Sequence, residues 1–375
     1  IMKKNIKNEK QAARVFHPGE ILLDELNDRQ LTQAEFSDII GRPARTVNEI
    51  IKGKRGITPE TAGVIAAALG TSPDMWLAMQ AEYDLYVLSK KTKDKPQEVE
   101  QRSELYSLFP IADLVRRSYI KRKTKVEELK KDILNLLNLS SIDDFNTRLA
   151  GARFRVSNGD IVLGYLNTWV LLAKKKASEQ KLDNKYDKER LKEFAKTIKD
   201  YSCKEKGIET VINELKKLGI RVILLPHFSK TRVDGAACWI DDQSPVIVMS
   251  LRYQRVDNFF FTLLHEIGHI VLHAPSDVNS FFVDDLNNLE KENKQEKEAN
   301  DFAIQNLGLN GVVSSLKFID ITPQILIKKS EEVGVHPSLL IGHLQHENLL
   351  AYTAYQKFLN KEKINQMIPA TLIEK

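Results

Sequence analysis

His265 and His269 stand four residues apart in an apolar run, residues 259–273, with Glu266 directly after the first of them. On a helix that spacing sets both imidazoles on one face, where they can grip a single metal ion. Glu266 holds the position at which a zinc peptidase keeps its general base. The same residues also read as core histidines satisfied by backbone partners, because a bare HExxH recurs by chance. The setting favours a metal: left unpartnered among apolar walls, each buried polar group costs about 1–3 kcal/mol, and a bound cation removes that cost. The metzincin pattern would need glycine at 272 and histidine at 275; the chain has Leu272 and Pro275 and lies outside that class. His273 falls about 40° round the helix from His269, one turn on, and reads as a helix-end residue or one that orients a ligand, with a ligand itself as the alternative.

A hydrolytic zinc centre takes three protein ligands and leaves one position open for water. The third ligand has to come from another element facing the motif helix, and the stretch 290–306 supplies it. With Ala303 at the centre of its apolar face and about 100° per residue, Ala299 and Leu307 flank that centre, Glu296 falls about 20° from it and Glu298 about 140° away. Glu296 is thus the lone carboxylate on an apolar stripe, in a helix otherwise read as charged and solvated. Glu292, one turn earlier on that face, is the runner-up. Asn300, one turn later, is set to hydrogen-bond Glu296, and Glu298 is expected to face solvent.

These groups need positioning. A helix over 211–218 ends at Gly219, and three apolar strands follow, over 221–225, 236–240 and 246–250. The turn Asp241-Asp242-Gln243-Ser244-Pro245 joins the last two. A helix and a small three-stranded sheet therefore precede the metal helix. Arg252 and Tyr253, after the third strand, are candidates for holding an oxyanion. Cys238 reads as a plain buried cysteine, the alternative being a thiolate that occupies the open metal position. His343 and His346, spaced i, i+3, read as packing or surface residues, with metal contact as the alternative.

The N-terminal quarter carries a different pattern. His17-Pro18-Gly19-Glu20 opens an amphipathic segment. Thr32 with Glu35 makes a capping box for a helix over 33–40, which Gly41 ends. A second helix runs from 43 or 44 to 52, with Val47, Ile50 and Ile51 inward, and Gly53 stops it. Thr58-Pro59-Glu60 starts another, closed by Gly70. Two short helices across a glycine turn make a helix-turn-helix whose second member reads DNA. Its exposed residues include Arg42, Arg45, Thr46, Asn48 and Lys52, followed by Lys54 and Arg55. Arg45 and Asn48 can reach guanine or adenine edges; Lys52, Lys54 and Arg55 suit phosphates, as do Gln33 and Thr46 at helix starts. On periodicity alone, a small helical domain with a solvated basic face is the alternative.

The chain's 375 residues allow two or three domains, and 42% hydrophobic with 29% charged residues fits a soluble folded protein. It has no apolar run of about 18 residues, and Ile1-Met2-Lys3-Lys4-Asn5 lacks the apolar core of a signal peptide. Cys203 and Cys238 are too few for a disulfide framework. A cytoplasmic protein without a membrane partner is expected. The net charge of +5 permits a nucleic-acid partner without arguing for one. Residues 89–104 read as a linker or exposed helix end. The basic residues Arg116, Arg117, Lys121, Arg122, Lys123 and Lys125 read as a solvated helix face, with a phosphate patch as the alternative.

Leu31-Thr32-Gln33-Ala34-Glu35-Phe36-Ser37, Gly41-Arg42-Pro43, residues 46–58 and residues 66–77 resemble the Xre/Cro-type helix-turn-helix of HigA antitoxins. The resemblance covers most of residues 14–86 and implies binding as a homodimer to palindromic operators in double-stranded DNA, often the family's own promoter. Gly235-Ala236-Ala237, residues 245–250, residues 261–269 and Glu296-Lys297-Glu298-Ala299-Asn300-Asp301-Phe302-Ala303 resemble the ImmA/IrrE zinc peptidases, a gluzincin-like group, over about 205–310. That implies Zn2+ held by His265, His269 and Glu296, with Glu266 as base; some relatives cleave a repressor. Residues 113–120 and 336–346 resemble parts of longer regulators of this kind. Where the peptidases often end the third-ligand helix with a Leu-Met-Pro-like stop, this chain has Gln305-Asn306-Leu307-Gly308, a change on the substrate side of the cleft.

The expected fold is mostly α with a C-terminal α+β part. It comprises an N-terminal helix-turn-helix bundle (14–88), a linker and helical spacer (89–204), a zincin-like domain with a small sheet and the HExxH helix (205–310), and a C-terminal helical extension (311–375). The expected function is a DNA-binding transcriptional regulator, an autorepressing antitoxin, whose metallopeptidase-like domain processes or senses a protein signal. The alternatives are an active zinc endopeptidase that cleaves a repressor or partner protein, and a non-catalytic zinc scaffold that binds a cognate toxin.

Overall fold

The structure is a computed structural model that describes residues 15–91, 95–151, 162–273, 281–284, 294–317, 319–359, 364 and 366–374. The chain divides into two compact units between Gln101 and Arg102. Mostly helical architecture with one small sheet agrees with the sequence reading. Among the described residues, no helix is long and apolar enough to cross a membrane.

The first unit is a bundle of α1 (Pro18–Asp28), α2 (Gln33–Ile39), α3 (Ala44–Ile51), α4 (Pro59–Leu69) and α5 (Pro73–Lys91). Thr32 caps α2 reciprocally with Glu35, as its spacing predicts. Gly41 and Gly53 take positive φ at the ends of α2 and α3. Leu22, Phe36, Val47, Ile50, Ile65 and Trp76 form the core. At Gly19 a side-chain carbon would stand 2.0 Å from the Ile50 carbonyl oxygen, so only glycine lets the start of α1 abut the end of α3.

The division falls within α6 (Lys95–Leu108), so of the two readings for residues 89–104, linker or exposed helix end, helix is what most of the stretch forms. Next come α7 (Ile111–Arg116), α8 (Val126–Leu137), α9 (Ile142–Gly151), α10 (Leu163–Glu179), α11 (Lys188–Ala195) and α12 (Gly207–Lys217). Then follow β1 (Arg221–Leu224), β2 (Gly235–Trp239), β3 (Pro245–Met249), α13 (Val256–Leu272), β4 (Phe281–Asp284) and α14 (Lys294–Asn306). α15 (Val312–Leu316), α16 (Pro323–Val333) and α17 (Pro337–His346) follow.

Among the described residues the sheet has four strands in the order β1-β3-β2-β4, one more than expected. β1 runs parallel to β3 with Arg221 opposite Val246, and β2 runs antiparallel to β3 with Gly235 opposite Met249. β4 joins the far edge of β2 with Gly235 opposite Asp284. Its four residues are too few for alternation to betray them. Both faces of the sheet are covered, which is why β1 to β3 read as unbroken apolar runs. Val222, Leu224, Ala237, Trp239, Ile247 and Met249 share a core with α13. Ile223, Ala236, Cys238, Val246 and Val248 share the other core with α8 and α10. The residues read as a spacer thus roof one face of the sheet. Arg117 donates to the carbonyls of Pro226 and His227, and Asp113 accepts from the Ser229 backbone and hydroxyl, tying α7 to the loop after β1.

Candidate metal centre and nucleic-acid interface

α13 is buried on nearly every side, between the sheet, α14 and α17. Gly268 sets its distance from α14: a side-chain carbon there would lie 3.2 Å from Ala299 Cα. Ala299 and Ala303 are fully buried at this crossing. The close approach brings Glu296, one turn before Ala299, over the two histidines.

His265 Nε2 and His269 Nε2 lie 3.0 Å apart, and Glu296 Oε2 lies 3.4 Å from the first and 3.6 Å from the second. Among the described residues these three form the one cluster with the spacing to hold a metal ion. Hydrogen bonds fix where the protons are. His265 Nδ1 is 2.8 Å from Asn300 Oδ1, an acceptor, so Nδ1 carries the proton. His273 Nε2 is 2.9 Å from a Glu298 carboxylate oxygen, which also only accepts. A neutral His273 then presents a lone pair at Nδ1, 3.0 Å from His269 Nδ1, which donates. Both metal-facing Nε2 atoms therefore bear lone pairs beside a carboxylate oxygen. Two imidazole nitrogens and a carboxylate oxygen meet there, a donor set that suits a cation.

Two expectations are corrected here. Asn300 bonds His265, not Glu296, because the close helix crossing points its amide at the imidazole. Glu298 does not simply face solvent: it pairs with His273, whose extended backbone just after α13 brings its ring back beside His269. Burial pushes the His273 pKa down despite the Glu298 hydrogen bond, and that bond holds the Glu298 carboxyl below its usual range.

Glu266 is fully buried and points at β2, where a side-chain carbon on Gly235 would come within 2.5 Å of Oε1. Thr262, one turn earlier on α13, borders the same gap. Cys238 belongs to the opposite face of the sheet, packed with α10, and burial pushes its thiol up to about 11. The plain buried cysteine is the reading that fits; a thiolate at the metal position does not. Arg252 donates to the Arg232 carbonyl, lies 3.9 Å from buried Asp234 and covers the Tyr253 ring. His343 is half-buried on α17, and exposed His346 approaches Glu347; neither belongs to the metal cluster. Glu292 lies outside the described residues. Gly308, with positive φ, ends the turn after α14.

Of the residues expected to contact DNA, Arg45, Thr46 and Asn48 lie on α3, Gln33 starts α2, and Arg42, Lys52, Lys54 and Arg55 flank α3. Arg45 is 88% exposed and pairs with Glu49 at 2.8 Å. Asn48 donates to Gln33 Oε1 at 3.1 Å, so those two residues meet across α2 and α3. Arg55 donates to Thr46, and Arg42 pairs with Glu60. Lys52 and Lys54 are exposed beyond the end of α3. His17, expected only to open an amphipathic segment, caps α1 and packs against α5. Its Nδ1 accepts from the Gly19 amide at 2.9 Å, its ring meets Tyr83 edge-on and lies 3.6 Å from where a side-chain carbon on Gly53 would be. The His-Pro-Gly order was the available signal: a cap, a first-turn proline and a glycine for close approach.

Comparison with known proteins separates the same two modules. The helix-turn-helix family profile matches residues 23–76, and the IrrE N-terminal-like domain profile matches residues 215–307. Virulence-associated protein A' of Dichelobacter nodosus is 33% identical over 90 residues, covering 24% of this chain and 78% of that protein. The uncharacterized HTH-type transcriptional regulator YddM of Escherichia coli (strain K12) is 31% identical over 77 residues, covering 20% of this chain and 81% of that one. A solved addiction module antidote protein of the HigA family from Coxiella burnetii is 35% identical, covering 22% of this chain and 92% of that one, with a TM-score of 0.22. The chain belongs to the helix-turn-helix DNA-binding regulators, is similar in that part to HigA antitoxins, and carries an IrrE N-terminal-like, peptidase-family domain in its C-terminal half.

Proposed function

We propose that this regulator is an antitoxin-type autorepressor that binds a palindromic operator as a homodimer in the cytoplasm, and that its C-terminal domain is a zinc centre that processes or senses a protein signal. A cognate toxin or a protein substrate is the partner this reading implies. The observation that carries it is the convergence of His265, His269 and Glu296 beside buried Glu266, on a chain whose other module is a helix-turn-helix.

The donor set fits zinc. Bonds of about 2.0–2.1 Å in a tetrahedron space ligand atoms about 3.3–3.5 Å apart, and the three edges here are 3.0, 3.4 and 3.6 Å. His265 Nε2, His269 Nε2 and Glu296 Oε2 would hold the ion. Zinc bound there supplies Lewis acidity and brings the pKa of a water toward about 7. Glu266 would take a proton from a water as the water oxygen adds to a peptide carbonyl, and would pass it to the amine released when the C–N bond breaks. Its burial keeps bulk water from competing for the carboxylate.

Metal analysis, promoter assays and partner cleavage test this together. Protein purified without chelator should hold one zinc per chain. Glu266→Gln should keep it and lose cleavage, whereas Glu296→Gln should lose it. Wild-type protein without zinc would sink the metal centre. A Glu266→Gln protein that responds to its signal like wild type would rule out proteolysis as the switch.

A further inference from the structure

We infer that Glu298, acting through His273, is the positioning element that turns His269 toward the metal. The inference rests on reading His265, His269 and Glu296 as a metal centre and identifies what holds one of its ligands in register.

The two ligating histidines are oriented differently. His265 is held directly from α14, by Asn300 at 2.8 Å. His269 is reached from α14 through one further residue: its Nδ1 meets His273 Nδ1 at 3.0 Å, and His273 in turn meets Glu298 at 2.9 Å. The geometry of α14 explains the extra residue. Glu298 is two positions from Glu296, so it projects about 200° round the helix from the ligand and away from His269. His273 spans that offset. It is the first residue past α13, in extended conformation, with its ring centroid 5.1 Å from that of His269.

The direction of the chain follows from what each atom can do. A carboxylate only accepts, so His273 must donate from Nε2 and accept at Nδ1; His269 must then donate from Nδ1 and keep its Nε2 lone pair for the metal. Take away either relay residue and neutral His269 divides between two tautomers, one of which presents N–H to the metal position. The relay runs from a fully buried ligand to a carboxylate whose side chain is 42% exposed, with Lys294 3.8 Å away.

Zinc affinity by chelator competition tests the relay in the full chain with wild type, Glu298→Ala, His273→Ala and the double variant. It is paired with 15N chemical shifts of the His269 ring in the metal-free proteins. Each single variant should bind zinc about 10- to 100-fold more weakly. The double variant should be no weaker than His273→Ala alone, because both changes cut one chain. His269 should show the Nδ1–H form in wild type and a mixture in the variants, a readout that loss of packing alone would not produce. Glu298 lies at the surface, so its variant tests the relay even where His273→Ala fails to fold. Zinc binding in wild type with unchanged affinity and tautomer in Glu298→Ala overturns the relay alone, as do losses that simply add. A wild-type protein that binds no zinc overturns the metal centre, and the relay with it.

Discussion

A side-chain carbon at position 235 would stand 2.5 Å from Oε1 of Glu266, so the backbone of β2 lies directly against the buried carboxylate. Gly235→Ala has to push Glu266 aside or bend the strand. We expect destabilisation of about 1–3 kcal/mol, typical of overpacking, with zinc retained because the three ligands are untouched. Thermal unfolding and metal analysis check both halves, and an alanine variant as stable as wild type would show that the contact is slack.

The outer side of α3 yields a prediction about DNA. Arg45→Ala with Asn48→Ala should abolish preference for the DNA upstream of the protein's own gene, since each base-reading side chain supplies about 1–3 kcal/mol of discrimination. Lys54→Ala should weaken binding to operator and unrelated DNA alike and reduce the salt slope by about one. Anisotropy titrations at several salt concentrations separate these outcomes. Unchanged operator preference in the double variant would remove α3 as the reading helix.

His17 predicts acid sensitivity of the first unit. Burial pushes its pKa below the ordinary 6.5, against the pull of Glu20 and Asp84. The unfolded chain therefore takes up the proton first, so stability is intact above about pH 6.5 and falls as pH drops below it. Protonation of Nδ1 would also remove the acceptor for the Gly19 amide. His17→Asn keeps a cap acceptor and does not titrate. Melting curves between about pH 8 and pH 5.5 should show wild type losing more stability than the variant; parallel losses would sink the assignment.

The two cysteines should differ sharply in reactivity. Cys203 is exposed, whereas Cys238 is buried with its thiol pushed up to about 11. In native protein one thiol per chain should react with a disulfide reagent, and the second only after unfolding. Two fast thiols would contradict the packing of β2 against α10.

The capping box at Thr32, the glycine stops at Gly41 and Gly53 and the apolar runs of β1 to β3 were all legible because they are local. Glu296 was legible for a similar reason: one carboxylate on an apolar stripe stands out by helical phase alone. β4 was not, being four residues long and paired across nearly fifty residues of chain.

The chain's own pattern determined that a helix-turn-helix and a histidine-bearing buried helix would form, since periodicity and caps act within a few residues. Only tertiary structure decided which atoms meet. Gly268 against Ala299 sets the approach of α13 and α14, and that approach gives Asn300 to His265 and Glu298 to His273. Helical phase reports which side of a helix a residue occupies; it is silent on which neighbour stands there, because that depends on packing between segments far apart in sequence. The same holds for α7 and α10: their composition reads as spacer, and their place on the sheet comes from the apolar face they bury there.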